Sequence, residues 1–348
     1  MSKPTLGIIG GGQLGSMIAI AANKLNIKTL IFCDDIDAPA QHFSNEFIFG
    51  DYSDKNKINE FIKRVDIVTY EFENIPYETL NEINKIKPVL PKPSVNRIIQ
   101  HRLAEKDFIN KLNIRTTAYV SIEKISDIES VQDMLPGILK TTTLGYDGKG
   151  QHLIYNIKDL DSLNIDYSKG YILEKLVKLK KEISIIVTRF NDKKYEIYEP
   201  IENMHEDQIL KHSKIPAQIS DKILDQSKHW ASLIAEELKY VGTLCVEFFI
   251  DKNENLFVNE VAPRVHNSGH LTINAYNISQ FENHVRAVCG LEQVSLKKIS
   301  NAKMINIIGD QITVYRTKQL KKNEFFFDYL KKEIKNKRKM GHFTTLVN

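Results

Sequence analysis

Cysteine is scarce in this chain: Cys33, Cys245 and Cys289 are the only three in 348 residues. The odd count and wide spacing exclude a disulfide framework and a thiolate metal cluster. Cys33 and Cys245 lie in apolar runs that read as buried strands, so they are expected as small core residues in a reducing compartment. Long apolar runs are lacking too. No stretch approaches the roughly eighteen residues that a spanning helix needs. The N-terminal apolar stretch is interrupted by "GGGQ" and has no basic flank, which argues against a secretion signal. These features predict a cytoplasmic protein with no membrane contact. One-sided charge is also missing, since 48 basic residues stand against 44 acidic ones, a net charge of +4. That balance argues against a dedicated nucleic-acid binder. There is no internal repeat and no low-complexity segment. What remains is globular, with 42% apolar and 26% charged residues, and the length calls for two or three domains.

The chain begins as an α/β protein. Residues 5–9 and 29–33 read as buried strands around a helix over 13–25, and "VDIVTYEFENI" (65–75) supplies another strand. Residues 1 to about 95 therefore form an open parallel sheet. The turn-rich "KPVLPKPS" (87–94) closes it. A single helix is predicted over 94–112 with Ser94 as its N-cap. From there hairpins alternate with helices, an α+β pattern: strands within 136–155, at 170–177 and at 182–190, a helix over 221–238, a hairpin over 244–261 and a helix over 278–289. The last fifty residues read as a small appended unit.

Near the N-terminus, Gly10, Gly12 and Gly15 have the G-x-G-x-x-G spacing between strand and helix, and Asp34 and Asp35 follow. This is the dinucleotide fingerprint, and on its own it admits NAD. Further on, "LCVEFFIDKNENLFVNEVAPR" is an acidic hairpin. If Asp251 pairs with Leu256, Glu247 stands opposite Glu260, whereas a slip of one residue puts Glu260 on the other face. Opposed like charges destabilise a strand pair. Either a magnesium ion between them or a half-exposed hairpin with one acid paired to Arg264 resolves the conflict. Lys140 ends a strand before "TTTLGYDGKG", which is either a loop closing over phosphates or a plain "DG" hairpin turn. "NEVAPRVHNSGHLT" (259–272) crowds Arg264, His266, Asn267, Ser268 and His270 beside Glu260, groups suited to binding anions and moving protons. The basic tail "YLKKEIKNKRKMGH" (329–342) is either a solvated helix face or a phosphate clamp drawn from Lys331, Lys335, Arg338 and Lys339.

Taken together, "GGGQLG", "YEFENIP" (70–76), "GYDGKGQ" (145–151), "NEVAPRVHNSGH" (259–270), "SQFENHVRAV" (279–288) and "RKMGH" (338–342) resemble, in order and over essentially the whole chain, the 5-(carboxyamino)imidazole ribonucleotide synthase family of the ATP-grasp superfamily. The resemblance implies an ATP-grasp fold: a Rossmann-like substrate domain (1–95), a linker helix and lid (96–178), a body carrying the ATP and magnesium site (179–295) and a small C-terminal subdomain (296–348). It implies ATP-dependent carboxylation of 5-aminoimidazole ribonucleotide with bicarbonate, through carboxyphosphate, in a homodimer of purine biosynthesis. By the same resemblance Arg102, Lys140 and the loop Gly145, Tyr146, Asp147, Gly148, Lys149, Gly150 and Gln151 contact the nucleotide. Glu174, Lys175, Leu176 and Val177 hold adenine, Glu182 and His205 the ribose side. Glu247 and Glu260 hold magnesium with Asn259 adjacent. Arg264 and His266, with Lys140 and Asp147, carry the chemistry. Gln13, Leu14, Glu73, Asn267 and Ser268 face the ribonucleotide, and Lys331 and Arg338 its phosphate. Thr141, Thr142 and Thr143 depart from the family, which usually has arginine there. On this reading the glycine turn serves the ribonucleotide and not NAD. The alternative on the same fold is a ligase joining formate to glycinamide ribonucleotide.

Overall fold

A computed structural model of the chain describes residues 3–143, 150–163, 165–166 and 169–347. The N-terminal unit has strands β1 (Leu6–Ile9), β2 (Thr29–Cys33), β3 (Glu46–Phe49) and β4 (Ile67–Tyr70), with helices α1 (Gln13–Lys24), α2 (Lys55–Arg64) and α3 (Tyr77–Asn84). The strands are parallel in the order β3-β2-β1-β4. Nearly every residue of β1 and β2 is buried, as a parallel strand covered on both faces requires.

The helix predicted over 94–112 is two helices, α4 (Pro93–Ile99) and α5 (Arg102–Lys111). Pro93 rather than Ser94 opens the first, because proline's fixed φ suits the first helical turn. His101 is extended (φ −117°, ψ 108°), which breaks the helix and makes Arg102 the first residue of α5. The lid follows as β5 (Tyr119–Ile122), α6 (Ile125–Glu129), β6 (Gly137–Thr141), β7 (Gln151–Ile154) and β8 (Tyr171–Lys175), an antiparallel sheet ordered β5-β8-β6-β7.

The body comprises β9 (Leu179–Arg189), β10 (Tyr195–Ile197), β11 (Ile201–Glu206), β12 (Ile209–Ile215), α7 (Asp221–Glu237), β13 (Gly242–Asp251), β14 (Leu256–Ala262), α8 (Thr272–Ala275) and α9 (Gln280–Val288). It ends with β15 (Asn301–Ile308), α10 (Ile312–Thr317), β16 (Glu324–Asp328) and β17 (Lys339–Val347). Its sheet runs β14-β13-β9-β11-β12-β15-β17-β16, with β10 on β9. The last fifty residues are thus continuous with the body sheet, since β15 pairs with β12. Helix α7 buries Ile223, Ser227, Ala231, Ile234 and Ala235, one stripe at helical spacing, against β9 and β13. Helix α1 packs on α9, where Leu14, Met17 and Ile18 share a core with Phe281, Val285 and Val288. His284 of α9 ties the two units further: its Nδ1 accepts from the Thr243 N–H (3.1 Å), so Nε2 carries the proton toward Thr69 Oγ1 of β4 (2.8 Å). Among the described residues no helix is long and apolar enough to cross a membrane.

The tail expected as a helix face is not helical. Leu330 and Lys337 take positive φ (53° and 63°), which interrupts any helix. The basic run is a turn-rich loop leading into β17.

Candidate active site

One cleft of about 1070 Å³ runs from the glycine turn, between the N-terminal unit and the body, to the inner face of the lid. Its wall includes Gln13, Leu14, Glu73, Arg102, Lys140, Gln151, Glu174, Lys175, Leu176, Val177, Glu182, His205, Glu247, Asn259, Glu260, Arg264, His266, Asn267, Lys331 and Arg338. Residues far apart in the chain are therefore brought to one surface. Gly145, Tyr146, Asp147, Gly148 and Lys149 lie outside the described residues. Gly150 follows at φ +71°, where a side chain would be strained and would meet Thr141 Oγ1 at 2.8 Å. Ser268, expected against substrate, is fully buried behind His266 and bonds its Nδ1.

The glycine turn is occupied from within. Glu71, just past β4, accepts the amides of Gly12 (2.6 Å) and Gly15 (2.9 Å). Burial pushes its carboxyl above the ordinary value, against the pull of those two amides. A Cβ on Gly12 would meet Glu71 Oε1 at 2.6 Å, and Gly10 takes φ +99° with Glu71 Cγ at 2.6 Å, so the glycines make room for this side chain. In a dinucleotide fold the pyrophosphate uses such amides; here a carboxylate fills the helix N-terminus. The motif "YEFENIP" contains Glu71 but gives it no role by itself; the available signal is an acid directly after the buried strand β4. Glu71→Ala leaves two buried amides unpaired and is expected to destabilise the protein by on the order of 2–3 kcal/mol, read as a lower urea midpoint at unchanged slope. An unchanged midpoint would remove Glu71 as the partner of the turn.

The acidic hairpin reaches the predicted pairing by a different register. Ile250, not Asp251, stands opposite Leu256, which by strict alternation would turn Glu260 into the core. A β-bulge at Asn259 adds the missing residue, so Glu247 and Glu260 are opposite each other on the cleft face. Neither pairs with Arg264. Glu260 lies 3.4 Å from Arg102 Nη1, and Glu247 lies 3.1 Å from His266 Nε2. Burial opposes ionisation of Glu247, but the His266 hydrogen bond together with the charges of the neighbouring His266, His205 and Arg264 outweighs it and holds the carboxyl low. Behind the hairpin, Glu105 accepts the Val261 amide (2.6 Å) and locks the end of the bulge. Burial, aided by the charge of Glu260, pushes the Glu105 carboxyl up to about 8.

Arg264 instead grips Glu73 with two nitrogens, Nε to Oε2 and Nη2 to Oε1 (3.0 Å). Burial would raise the Glu73 carboxyl, but the guanidinium wins and holds it at about 2. At the lid, Glu174 accepts from Thr117 Oγ1 (3.0 Å) and lies 3.1 Å from Lys140 Nζ and 3.4 Å from Lys106 Nζ. Burial opposes its charge, yet the two ammonium groups hold it at about 2. Its side chain thus positions Lys140, and Glu174, Lys175, Leu176 and Val177 all line the cleft. Glu182 Oε2 lies 2.6 Å from His205 Nδ1. Burial lowers the basicity of His205, but Glu182 more than offsets this and raises it. Thr142, in the threonine run that departs from the family, turns its hydroxyl to Lys169 O (3.3 Å) and Gly170 O (3.4 Å), while its amide donates to Gly170 O (3.1 Å) and its carbonyl accepts from the Arg102 N–H (2.9 Å). At the tail, Lys331 Nζ donates to Gln13 Oε1 and Lys339 O, both at 2.7 Å, joining the glycine turn to β17.

Among the described residues no group of three or more His, Cys, Asp or Glu side chains can hold a metal alone. The donor set nevertheless suits magnesium shared with a polyphosphate: two opposed carboxylates, and beside them Asn259 Oδ1, a buried oxygen with no partner among the described residues.

Three family models match the chain: the ribonucleotide synthetase preATP-grasp domain over residues 3–100, the ATP-grasp domain over 107–281 and the phosphoribosylaminoimidazole carboxylase C-terminal domain over 302–348. The N5-carboxyaminoimidazole ribonucleotide synthase of Staphylococcus aureus (strain MRSA252) is 37% identical, over 99% of this chain and 93% of that protein. That of Brucella melitensis is 38% identical, over 98% and 96%. Among solved structures, the S. aureus synthetase complexed with ADP superposes with a TM-score of 0.93 at 36% identity, covering 99% of this chain and 93% of that one. The Aspergillus clavatus synthase in complex with ADP and 5-aminoimidazole ribonucleotide gives 0.91 at 27% identity, covering 99% and 94%.

Proposed function

The chain belongs to the N5-carboxyaminoimidazole ribonucleotide synthase family of ATP-grasp ligases, and from that premise we propose how its residues divide the work. The reaction is the ATP-dependent carboxylation of 5-aminoimidazole ribonucleotide. On our reading bicarbonate is the carbon source and the enzyme acts as a cytoplasmic homodimer. A bicarbonate oxygen attacks the γ-phosphorus, ADP leaves, and carboxyphosphate forms. The exocyclic amine then attacks the carboxyl carbon; the N–C bond forms, the C–O bond to phosphate breaks, and the amine gives up a proton.

Lys140, set by Glu174, holds the polyphosphate with the loop at 145–151. The backbone of Glu174–Val177 takes adenine, and Glu182 with His205 the ribose. Glu247, Glu260 and Asn259 would hold magnesium, which when bound neutralises charge on the transferring phosphoryl group. Arg264 and His266 hold the carboxylated intermediate. Gln13, Leu14, Glu73 and Asn267 orient the aminoimidazole, and its phosphate meets Lys331 and Arg338. The observation that carries this division is the Arg264–Glu73 pair. A permanent cation suited to the carboxyphosphate grips an ionised carboxylate suited to an amine, so the two reacting groups have adjoining holders.

The phosphate assignment makes a graded prediction. A guanidinium can hold two phosphate oxygens, and a hydrogen bond to a charged group contributes about 1.5–3 kcal/mol. Arg338→Ala is therefore expected to raise the KM for the ribonucleotide by roughly ten- to a hundredfold, with Lys331→Ala smaller and the KM for ATP nearly unchanged. Lys332 is paired to Asp37 (3.0 Å) and Lys335 to Glu333 (2.6 Å), both well exposed, so their alanine variants should be almost silent. Four similar small effects, measured at one salt concentration, would refute the clamp.

A further inference from the structure

Behind His266 a line of buried polar groups crosses the body sheet. Ser213 of β12 stands opposite Asn203 of β11 and donates its hydroxyl to Asn203 Oδ1 (2.9 Å). Asn203 Nδ2 donates to Ser184 Oγ of β9 (3.0 Å). Ser184 Oγ and Ser268 Oγ are 2.7 Å apart, and Ser268 Oγ is 2.9 Å from His266 Nδ1. On its far side, His266 Nε2 faces Glu247 Oε1 at 3.1 Å. Ser184 and Ser268 are fully buried, and Ser213, Asn203 and His266 nearly so. Buried polar groups are costly unless paired, so a line of this length has to satisfy itself.

Hydroxyls and the Asn amide can each run in either direction, and one contact selects between the two. The Ser268 backbone N–H also points at His266 Nδ1 (3.4 Å). At that length the amide does not hold the ring alone, but it favours a lone pair at Nδ1. The Ser268 hydroxyl must then donate to Nδ1, Ser184 must donate to Ser268, and the Asn203 amine must donate to Ser184. Every bond runs one way, toward the cleft, and the ring proton is left on Nε2, pointing at Glu247. Aligned hydrogen bonds of this kind polarise one another. The Cys245 thiol lies beside Ser184 and Ser268; as a weak donor it can join the line without reversing it.

We propose that this one-way chain fixes His266 in the Nε2–H tautomer against Glu247, and that Asn203 and Ser184 are positioning residues for the carboxylation. The proposal deepens the role given to His266 above and rests on it for its effect on turnover. Neither Asn203 nor Ser184 lines the cleft; Asn203 stands opposite Glu182 and Ser184 opposite Glu247 in the sheet, so the state of the His266 ring is what separates an effect through the chain from one through those strands.

The test reads the ring directly. In histidine-labelled resting enzyme, with His266 assigned from its Gln variant, 15N resonances should show Nδ1 unprotonated and Nε2 protonated. A protonated Nδ1 overturns the proposal. Asn203→Asp, measured at pH 8.5, replaces the donor by an acceptor, so the Ser184 hydroxyl turns toward residue 203 and the line reverses. It should lose the Nε2–H signature and lower kcat about ten- to thirtyfold, with the KM for ATP within about twofold. Asn203→Leu removes the same bonds without reversing the rest. It should lower the melting temperature while keeping the signature and at least about a third of kcat. Equal losses in both variants with an unchanged ring signature would mean packing alone, and would overturn the proposal. If Asn203→Asp does not fold, Ser268→Ala serves: a mixed tautomer and a five- to tenfold lower kcat, restored by Ser268→Thr, are expected. A full Nε2–H signature with wild-type kcat in that variant overturns the proposal. A tautomer that moves while kcat holds would instead refute the role assigned to His266 and leave the chain standing, so the two failures are distinguishable.

Discussion

Glu260→Gln is expected to lower turnover by about a hundred- to a thousandfold while the protein stays folded. The substitution keeps shape and removes one negative charge. That charge faces Glu247 across the strand pair and lies 3.4 Å from Arg102, where polyphosphate and its counter-charge must be balanced during transfer. Phosphoryl transfer depends almost wholly on positioning and electrostatics, and loss of one preorganised group at such a site costs about 10²–10³ in rate. The fold should survive for a local reason: the bulge at Asn259 is held through the Glu105–Val261 bond, which does not involve Glu260. The side chain is also 41% exposed, so the neutral amide is not stranded in the core. The check is kcat at saturating magnesium together with the melting temperature. A near-normal kcat would take Glu260 out of the site, and a collapsed melting temperature would make its role structural.

The second large effect concerns acid stability. His284 is held down to about 4 and His342 to about 3 by burial, and His270 lies further below the ordinary value through burial and the neighbouring His342. The unfolded chain takes up these protons below about pH 6.5 and the folded chain refuses them. The stabilisation is therefore complete above about pH 6.5 and is lost progressively as the pH falls toward 4 and 3. At pH 5 His284 and His342 have each cost about 2 kcal/mol, a sizeable part of the 5–15 kcal/mol by which domains are usually stable, and His270 acts in the same direction. The carboxylates of Glu73 and Glu174, held near 2, lose their contribution only below about pH 4.5, so the range from pH 7 to pH 5 lies outside their window. Glu105, pushed up to about 8, keeps in the folded chain a proton that the unfolded chain gives up above about pH 4.5, so it opposes the histidines and offsets about one of their protons between pH 7 and pH 5. The urea midpoint should therefore drop over that range only by the excess of the histidines over Glu105. In His284→Gln the slope of stability against pH over that range should fall by about two thirds of a proton, roughly 0.9 kcal/mol per pH unit. An unaltered slope in the variant would contradict the neutral state of the His284 ring.

Much of the architecture was legible because it rests on local pattern. Parallel strands buried on both faces read as continuous apolar runs, and β1 and β2 do. The amphipathic stripe of α7 repeats at helical spacing over its whole length. The site was legible where a motif carries several chemical groups at once, as 259–270 does. What escaped the reading depends on single residues whose effect is set at a distance. The hairpin turn sets the strands one residue off the expected register and the bulge at Asn259 cancels the shift, and no alternation pattern marks such an insertion. The break at His101 follows from one extended residue in a stretch of good helix formers. Glu71 closes the glycine turn from about sixty positions away, so a fingerprint judged by its own spacing looked open when it was filled. The Ser184–Asn203 line joins neighbouring strands whose pairing only the folded sheet specifies. The basic tail misled for a different reason: its charge pattern suits a helix, but two left-handed residues forbid one.

The most direct measurement is the stoichiometry of a phosphate-release assay with ATP, magnesium and bicarbonate, run with and without 5-aminoimidazole ribonucleotide. The account predicts that the ribonucleotide strongly stimulates phosphate release, that bicarbonate is required, and that one ribonucleotide is carboxylated for each ATP cleaved. Release at the same rate without ribonucleotide or without bicarbonate, or with the ribonucleotide left unconsumed, would contradict it.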